Sequence, residues 1–97
     1  MIDPGHSKHG LDARRRKLLF RAWHRGMREL DLIIGRFADS AIGQLTDDEL
    51  VQFEELIEVS DHELLAWITG ETNVSAQFDS AVFRRLCDFN RRGEGAR

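Results

Sequence analysis

Apolar residues recur every three or four positions along most of the chain, which is the spacing that places side chains on one face of an α-helix. Two such segments occupy the first half, from about Asp12 to His24 and from about Met27 to Ala41. Their apolar positions are Leu11, Leu18, Leu19, Ala22 and Trp23 in the first, and Met27, Leu30, Ile33, Ile34, Phe37 and Ala41 in the second. Gly26 lies between them and predicts a break, because glycine adopts backbone angles that other residues avoid.

The second half predicts three more helices, whose starts are indicated by capping residues. Thr46 with Glu49 and Ser60 with Glu63 each have the spacing of a capping box, in which two side chains satisfy free amides of the first helical turn. A fifth helix is predicted to begin near Ser75. The apolar positions of these helices are Leu50, Phe53, Leu56, Ile57, Leu64, Leu65, Trp67, Ile68, Phe78, Val82, Phe83, Leu86 and Phe89. The pattern therefore predicts an all-α fold, a compact bundle of five short helices.

Two glycines deserve separate interpretation. Gly70 follows the fourth apolar segment and is a good helix terminator. Gly35 lies inside the second predicted helix, where glycine costs about 1 kcal/mol relative to alanine. A close packing partner would explain that choice, but the glycine could equally have no structural reason.

Length and composition fit one domain. The chain has 97 residues, of which 41% are hydrophobic and 32% charged, so it can form one modest core. We expect a single domain over residues 11–92, with a flexible extension over residues 1–10 and a flexible tail over residues 93–97.

The chain carries no signal for a membrane or an oxidising compartment. It has no run of about 18 apolar residues, and its first ten residues resemble neither a secretion signal nor an Arg-rich transit peptide. The single cysteine, Cys87, cannot form an internal disulfide and suits a reducing compartment. We expect a monomeric protein of the bacterial cytoplasm, without membrane insertion.

Two basic segments flank an acidic one. Residues 13–36 carry eight Lys or Arg and two acids, residues 47–63 carry eight acids and no Lys or Arg, and residues 84–97 carry five Arg and two acids. One interpretation is that these are solvated helix faces that attract one another. The other is that a basic surface meets an acidic partner. The run from Arg14 to Lys17 leaves open a nucleic-acid-binding or regulatory module, although it wraps around the helix and the net charge is −3.

No enzyme motif is present. The chain has no Gly-rich phosphate loop, no HExxH and no CxxC pair, so we predict no catalytic, metal or stably bound cofactor site. His6 and His9 could share a metal, but they lie in the expected flexible extension. Cys87 lies among apolar positions, which favours packing over a catalytic thiol. We also expect Trp23 and Trp67 to be core or core-edge residues rather than residues that stack on a cofactor. The protein is therefore predicted not to be an enzyme.

The most unusual segment runs from Arg25 to Asp31 and reads Arg-Gly-Met-Arg-Glu-Leu-Asp. Arg25 and Glu29 are four residues apart, and the ordinary interpretation is a helix-surface pair contributing a few tenths of a kcal/mol. A second interpretation is that Gly26 lets another backbone approach closely, while the charged neighbours make directional hydrogen bonds to a partner.

The order of motifs along the chain supports the second interpretation. The motifs are Arg-Gly-x-x-Glu at residues 25–29, Leu-Thr-Asp-Asp-Glu at residues 45–49, Phe53, Leu-Ile-Glu at residues 56–58, and Asp-His-Glu-Leu-Leu-Ala-Trp-Ile at residues 61–68. In this order they resemble the succinate dehydrogenase flavinylation factor family, also called succinate dehydrogenase assembly factor 2. The resemblance covers about Arg16 to Arg92.

The resemblance implies a five-helix fold and a function that composition cannot supply. It implies an assembly factor, or chaperone, that binds the flavoprotein subunit of succinate dehydrogenase, and of fumarate reductase in some bacteria. The factor would promote covalent attachment of the partner's FAD without binding nucleic acid. Arg25, Gly26 and Glu29 match the motif and are implied partner-binding residues. Met27, Arg28 and Asp31 are further candidates for the same contact surface. Gly26→Arg and Glu29→Ala are expected to weaken attachment and leave the fold intact.

Overall fold

A computed structural model describes residues 10–93 of the chain. Over this range the structure has five α-helices and no strand, which confirms the predicted all-α bundle. The helices are α1 (Ala13–Trp23), α2 (Arg28–Ala41), α3 (Asp47–Ile57), α4 (Asp61–Thr69) and α5 (Ala81–Arg91), and short 3-10 turns occupy Ile42–Gln44 and Ala76–Phe78. The predicted extension and tail lie outside the described residues, apart from Gly10 and Gly93. No helix of residues 10–93 is both long enough and apolar enough to cross a bilayer.

Side-chain contacts define how the helices run. The α1 and α2 helices are antiparallel, because Arg15 near the start of α1 donates to the carbonyl of Ile42 just past the end of α2 (3.0 Å). The α5 helix is antiparallel to α3. Its early Val82 amide donates to Gln52 of α3 at 3.2 Å, while Arg85 lies 3.6 Å from Glu49 at the start of α3. Four of the five helices therefore belong to two antiparallel pairs, α1 with α2 and α3 with α5.

One continuous core draws on every helix. Phe37 of α2 packs edge-to-face against Phe53 of α3, with ring centres 5.9 Å apart, and against Phe89 of α5 at 5.6 Å. Such aromatic pairs contribute about 0.5–1.5 kcal/mol each beyond the burial of their surface. Trp67 of α4 meets Phe83 of α5 at 6.4 Å. Buried Trp67 confirms one predicted core tryptophan, and half-buried Trp23 packs at the edge of the same core.

Most of the predicted helix ends are confirmed. The Asp12 carboxylate accepts a hydrogen bond from the Arg15 amide at 2.8 Å and caps α1. Both bonds of the Thr46–Glu49 capping box are present, at 2.9 and 3.2 Å. Gly70 ends α4 in the left-handed conformation, with φ of +83°. These ends follow from local hydrogen bonding, which is why the sequence reveals them.

The second predicted capping box is wrong. Ser60 does precede α4, but its side chain makes no capping hydrogen bond. The junction between α3 and α4 is held instead by the guanidinium of Arg25, which is distant in sequence.

The predicted start of the last helix is also wrong. Ser75 begins only a 3-10 turn, and α5 starts at Ala81. Ser80 is the true N-cap, since its hydroxyl accepts a hydrogen bond from the Phe83 amide at 3.2 Å. Phe78 lies in the turn and contacts Trp67, with ring centres 5.4 Å apart. This contact belongs to the turn rather than to the helix that was predicted there.

Candidate functional site

Arg25 lies at the junction of three elements, and its side chain is only 8% exposed. Its Nε donates to Asp61 at 2.8 Å, its Nη1 to the Ile57 carbonyl at 2.7 Å, and its Nη2 to the Val59 carbonyl at 2.6 Å. The last carbonyls of a helix lack partners within that helix. Arg25 therefore caps the end of α3 and links it to the first residue of α4.

The ordinary interpretation of Arg25 and Glu29 as a helix-surface pair is wrong. Arg25 precedes α2, and its ion pair is with Asp61 rather than with Glu29. Arg25 and Asp61 each begin one of the motifs on which the family resemblance rests, but the motifs do not state that the two residues are in contact. Sequence spacing does not indicate the contact either, because the two residues are 36 positions apart.

Gly26 reverses the chain between α1 and α2. Its φ is +104°, a conformation that side-chain-bearing residues rarely adopt, and nothing lies within 4 Å of where a Cβ would stand. The Asp31 carboxylate fixes this reversal by accepting a hydrogen bond from the Arg25 amide at 2.8 Å. The expectation that Gly26→Arg leaves the fold intact therefore needs correction. Space is available for a side chain, but the backbone would be strained by about 1–3 kcal/mol.

The other residues of the segment range from the buried core residue Leu30 to three exposed residues. Gly26, Arg28 and Glu29 are exposed, and Met27 is half-buried at the edge of the core. We call Gly26, Met27, Arg28 and Glu29 the exposed turn. Within residues 10–93, the side chains of Arg28 and Glu29 have no hydrogen-bond or ion-pair partner. Met27, the N-cap of α2, provides no side-chain cap, so the first amides of α2 are also open.

The predicted site residues therefore divide into two groups. Arg25 and Asp31 are bonded within the protein and hold the turn in place. Gly26, Arg28 and Glu29 are presented outward, with Met27 between the two groups. The segment as a whole forms a charged surface on a rigid support.

The basic and acidic segments attract one another, as the first interpretation of the charge pattern predicted. Arg14 pairs with Glu54 at 2.8 Å, and Arg21 pairs with Glu58, so that α1 lies along α3 in the same direction. The hydrogen bond from Arg14 holds the pKa of the Glu54 carboxyl below its usual value.

The basic run from Arg14 to Lys17 does not form a surface of free cations, as a nucleic-acid-binding module would need. Beyond the Arg14 pair, the Arg15 guanidinium donates to the carbonyls of Ile42 and Leu45, and Arg16 donates to the carbonyl of Leu11. Of the run from Arg14 to Lys17, only the exposed Lys17 has no such bond within the described part of the chain. A phosphate-binding surface needs several free cations on one face. No observation here favours that function.

Cys87 and the histidines provide no assembled catalytic group in the described residues. Cys87 is half-buried against the core, and burial raises the pKa of its thiol. The His24 ring is stacked on Phe20, and its Nδ1 lies 2.7 Å from the Phe20 carbonyl oxygen. His6 and His9 lie outside the described residues.

The raised pKa of Cys87 predicts that its thiol reacts slowly with alkylating agents. Because the thiolate is the reactive form, the folded chain at pH 8 is expected to react with iodoacetamide several-fold more slowly than the same chain in urea. The time course of mass increase, measured with and without urea, checks this. A small model thiol treated in both buffers controls for the direct effect of urea. Faster alkylation of the folded chain would indicate an activated thiol and would contradict the prediction.

Comparison with known proteins identifies the family. The sequence model described as "Flavinator of succinate dehydrogenase" matches residues 16–90, from within α1 to the last turn of α5. The chain belongs to this family. The flavinator match includes the whole segment from Arg25 to Asp31 and confirms the resemblance drawn from the ordered motifs.

Relatives of the flavinator family are similar over most of the chain. The "FAD assembly factor SdhE" of Acetobacter pasteurianus is 36% identical over 87 residues, which is 90% of this chain and 80% of the relative. The protein of that name from Legionella pneumophila (strain Lens) is 34% identical over 79 residues, 80% of this chain and 100% of the relative. The "Succinate dehydrogenase assembly factor 2, mitochondrial" of Dictyostelium discoideum is 34% identical over 70 residues, 72% of this chain and 50% of the relative. The assignment of Arg25, Gly26, Met27, Arg28, Glu29 and Asp31 to partner contact stays a prediction.

Proposed function

We propose that this chain is an assembly factor that binds the flavoprotein subunit of succinate dehydrogenase and promotes covalent attachment of FAD to it. Membership of the flavinator family supports the target. The proposed binding site is the exposed turn. Its Arg28 and Glu29 side chains are exposed and have no partner in the described structure. Arg25 and Asp31, which we call the rigid base, hold the turn in place. A fumarate reductase flavoprotein is a second target of the same kind. A monomer in the bacterial cytoplasm stays our prediction.

The rigid base explains how a surface as small as the exposed turn can bind a partner. Arg25 and Asp31 hold the reversal at Gly26 through hydrogen bonds of 2.6–2.8 Å. A turn already fixed in its binding conformation loses little conformational entropy when it docks. Charged groups at its tip then make directional hydrogen bonds, which favour one orientation of the partner. Such a surface suits a factor that binds transiently.

The proposed mechanism needs no catalytic group on this chain. A flavoprotein that lacks its covalent bond samples several arrangements, and a factor that binds the reactive arrangement increases its population. Orienting the reacting groups of the flavoprotein and its FAD lowers the barrier without adding an acid or a base. FAD thus belongs to the partner, and this chain acts as a non-enzymatic chaperone.

Replacing Glu29 by alanine tests the proposal. We expect covalent attachment of FAD to slow by about tenfold or more when the factor is limiting, because a charge-assisted hydrogen bond to the partner is lost. The thermal midpoint of the chain should barely change, since Glu29 is exposed and unpaired in the described structure. The assay mixes the flavoprotein subunit, FAD and the factor, then measures flavin fluorescence of the denatured flavoprotein over time.

The matched control is Glu55→Ala, which removes an exposed glutamate of α3 outside the turn. Its attachment rate should equal that of the unmodified chain. If Glu29→Ala and Arg28→Ala both behave like this control, the exposed turn is not the docking site. If the unmodified chain does not accelerate attachment, the proposed function itself fails.

A further inference from the structure

An exposed aromatic ring lies on α1, the helix that precedes the exposed turn. Among residues 10–93 the exposed large hydrophobic side chains are Phe20, at 57%, and Val51, at 45%. Phe20 lies off the buried stripe of α1, which contains Leu18, Leu19 and Ala22. A single exposed apolar residue is common on protein surfaces. Two further observations distinguish Phe20.

The first observation is that Phe20 is held in one orientation. His24 lies one helical turn later, and its ring stacks on Phe20 with centres 4.0 Å apart and planes inclined by 16°. The His24 ring is itself fixed by the 2.7 Å contact of Nδ1 with the Phe20 carbonyl. A side chain ordered before binding loses less entropy on docking. Rigid aromatic residues of this kind are enriched at the energetic centres of interfaces.

The second observation is a pocket that Phe20 helps to line. It has a volume of about 250 Å³ and is lined by Phe20, Arg21, His24, Arg25, Ile57 and Asp61. Small-molecule sites usually span about 300–1,000 Å³, so this pocket suits one side chain rather than a dinucleotide. Two of its lining residues, His24 and Arg25, directly precede the exposed turn in the sequence.

The charges of the pocket indicate what it accepts. Arg21 is paired with Glu58, and Arg25 is paired with Asp61. Both cations of the lining therefore already have their anions, and a charged occupant would gain no free counterion. A neutral occupant would cover the Phe20 ring without breaking either pair. Because the rest of the exposed lining is mainly polar, the pocket favours a neutral side chain that also carries a hydrogen-bonding group.

We propose that Phe20 and His24 form the aromatic half of the docking surface, and that the pocket receives one neutral side chain of the flavoprotein subunit. This inference rests on the proposed function and extends its site from α2 onto α1. The exposed turn then provides the charged half. An aromatic anchor next to charged, solvent-accessible groups is the usual composition of a protein interface.

Truncation of Phe20 tests the aromatic half of the docking surface without altering the exposed turn. The probe is the flavoprotein subunit purified before covalent attachment of its flavin, titrated calorimetrically with the full chain. We expect Phe20→Ala to raise Kd by about tenfold or more and Phe20→Leu to raise it less, since leucine keeps an apolar side chain. His24→Ala should raise Kd by a smaller factor, because only the support of the ring is lost. The thermal midpoint of each free variant should stay near that of the unmodified chain.

Val51→Ala is the matched control, because it shortens the other exposed hydrophobic residue on α3, outside the pocket. Its Kd should be unchanged. If Phe20→Ala binds as tightly as the unmodified chain while Glu29→Ala binds weakly, the pocket is not occupied, and the proposed function stands without it. Equal weakening by Val51→Ala would also overturn a specific role for Phe20. Failure of the unmodified chain to bind would overturn both proposals.

Discussion

Arg25→Ala is expected to lower the free energy of unfolding by about 3 kcal/mol or more, although Arg25 belongs to the segment predicted to bind a partner. The substitution leaves the carbonyls of Ile57 and Val59 and the carboxylate of Asp61 without their donor. Acceptors that stay shielded from water without a donor cost free energy. Lysine should restore only part of the loss, since one ammonium cannot reproduce the fork of a guanidinium. Urea unfolding followed by circular dichroism measures the change.

The control for Arg25 is Arg21→Ala, one turn earlier on α1. Arg21 pairs with Glu58, but both side chains are well exposed, at 37% and 69%. Exposed pairs contribute about 0–1 kcal/mol, so the loss should be small. If Arg25→Ala and Arg21→Ala lower stability equally, the three bonds of Arg25 do not hold the α3–α4 junction.

Residues of the Arg25–Asp31 segment can lose function for two different reasons. Arg25→Ala is expected to impair flavin attachment because the hydrogen bonds that support the exposed turn are lost. Glu29→Ala is expected to impair attachment while those hydrogen bonds stay in place, since the Glu29 side chain makes no described contact. Stability and attachment measured together therefore separate residues that hold the turn from residues that face the partner.

The sequence predicted helices well wherever a local hydrogen bond or the apolar spacing decides their bounds. Asp12, Thr46 and Gly70 act within one turn of their own position, and each was placed correctly. The start of α5 was missed because Ser75 and Ser80 are both acceptable caps. Phe78 also fits the helical spacing with Val82, so the apolar pattern could not reject the longer helix. The observed turn instead places Phe78 against Trp67, a contact between distant segments.

The division of the site into inner and outer residues could not be predicted in the same way. Spacing rules detect neighbours three or four residues apart, whereas Arg25 meets Asp61 across 36 positions. The family resemblance marked Arg25, Gly26 and Glu29 alike, because a motif does not state which residues support and which contact. For Phe20 a signal was available, because it is a large apolar residue of α1 that does not fit the helical spacing of Leu18, Ala22 and their neighbours.

Gly35→Ala is expected to destabilise the protein by about 1–2 kcal/mol, although alanine is the better helix former by about 1 kcal/mol. A Cβ at Gly35 would lie 2.6 Å from Cε2 and 2.7 Å from Cε3 of Trp23, much closer than carbon atoms approach. The indole cannot move aside freely, because its Nε1 donates to Asp39 at 3.3 Å and its ring packs against the core. The packing partner that the sequence could only suggest for Gly35 is therefore Trp23. Thermal unfolding should show a midpoint several degrees lower.

Two further variants decide whether the Trp23 ring is the cause. Gly43→Ala is the control, since the nearest atom to its added Cβ is Leu11 Cδ2 at an ordinary 3.6 Å, and its midpoint should hardly change. Adding Trp23→Leu to Gly35→Ala removes the atoms that the new methyl group would meet. The cost of the alanine should then disappear, so that Gly35→Ala is neutral or stabilising in the leucine background and the two effects are not additive. Additive effects, or a Gly35→Ala chain more stable than the unmodified one, would show that helix propensity rather than close packing governs this position.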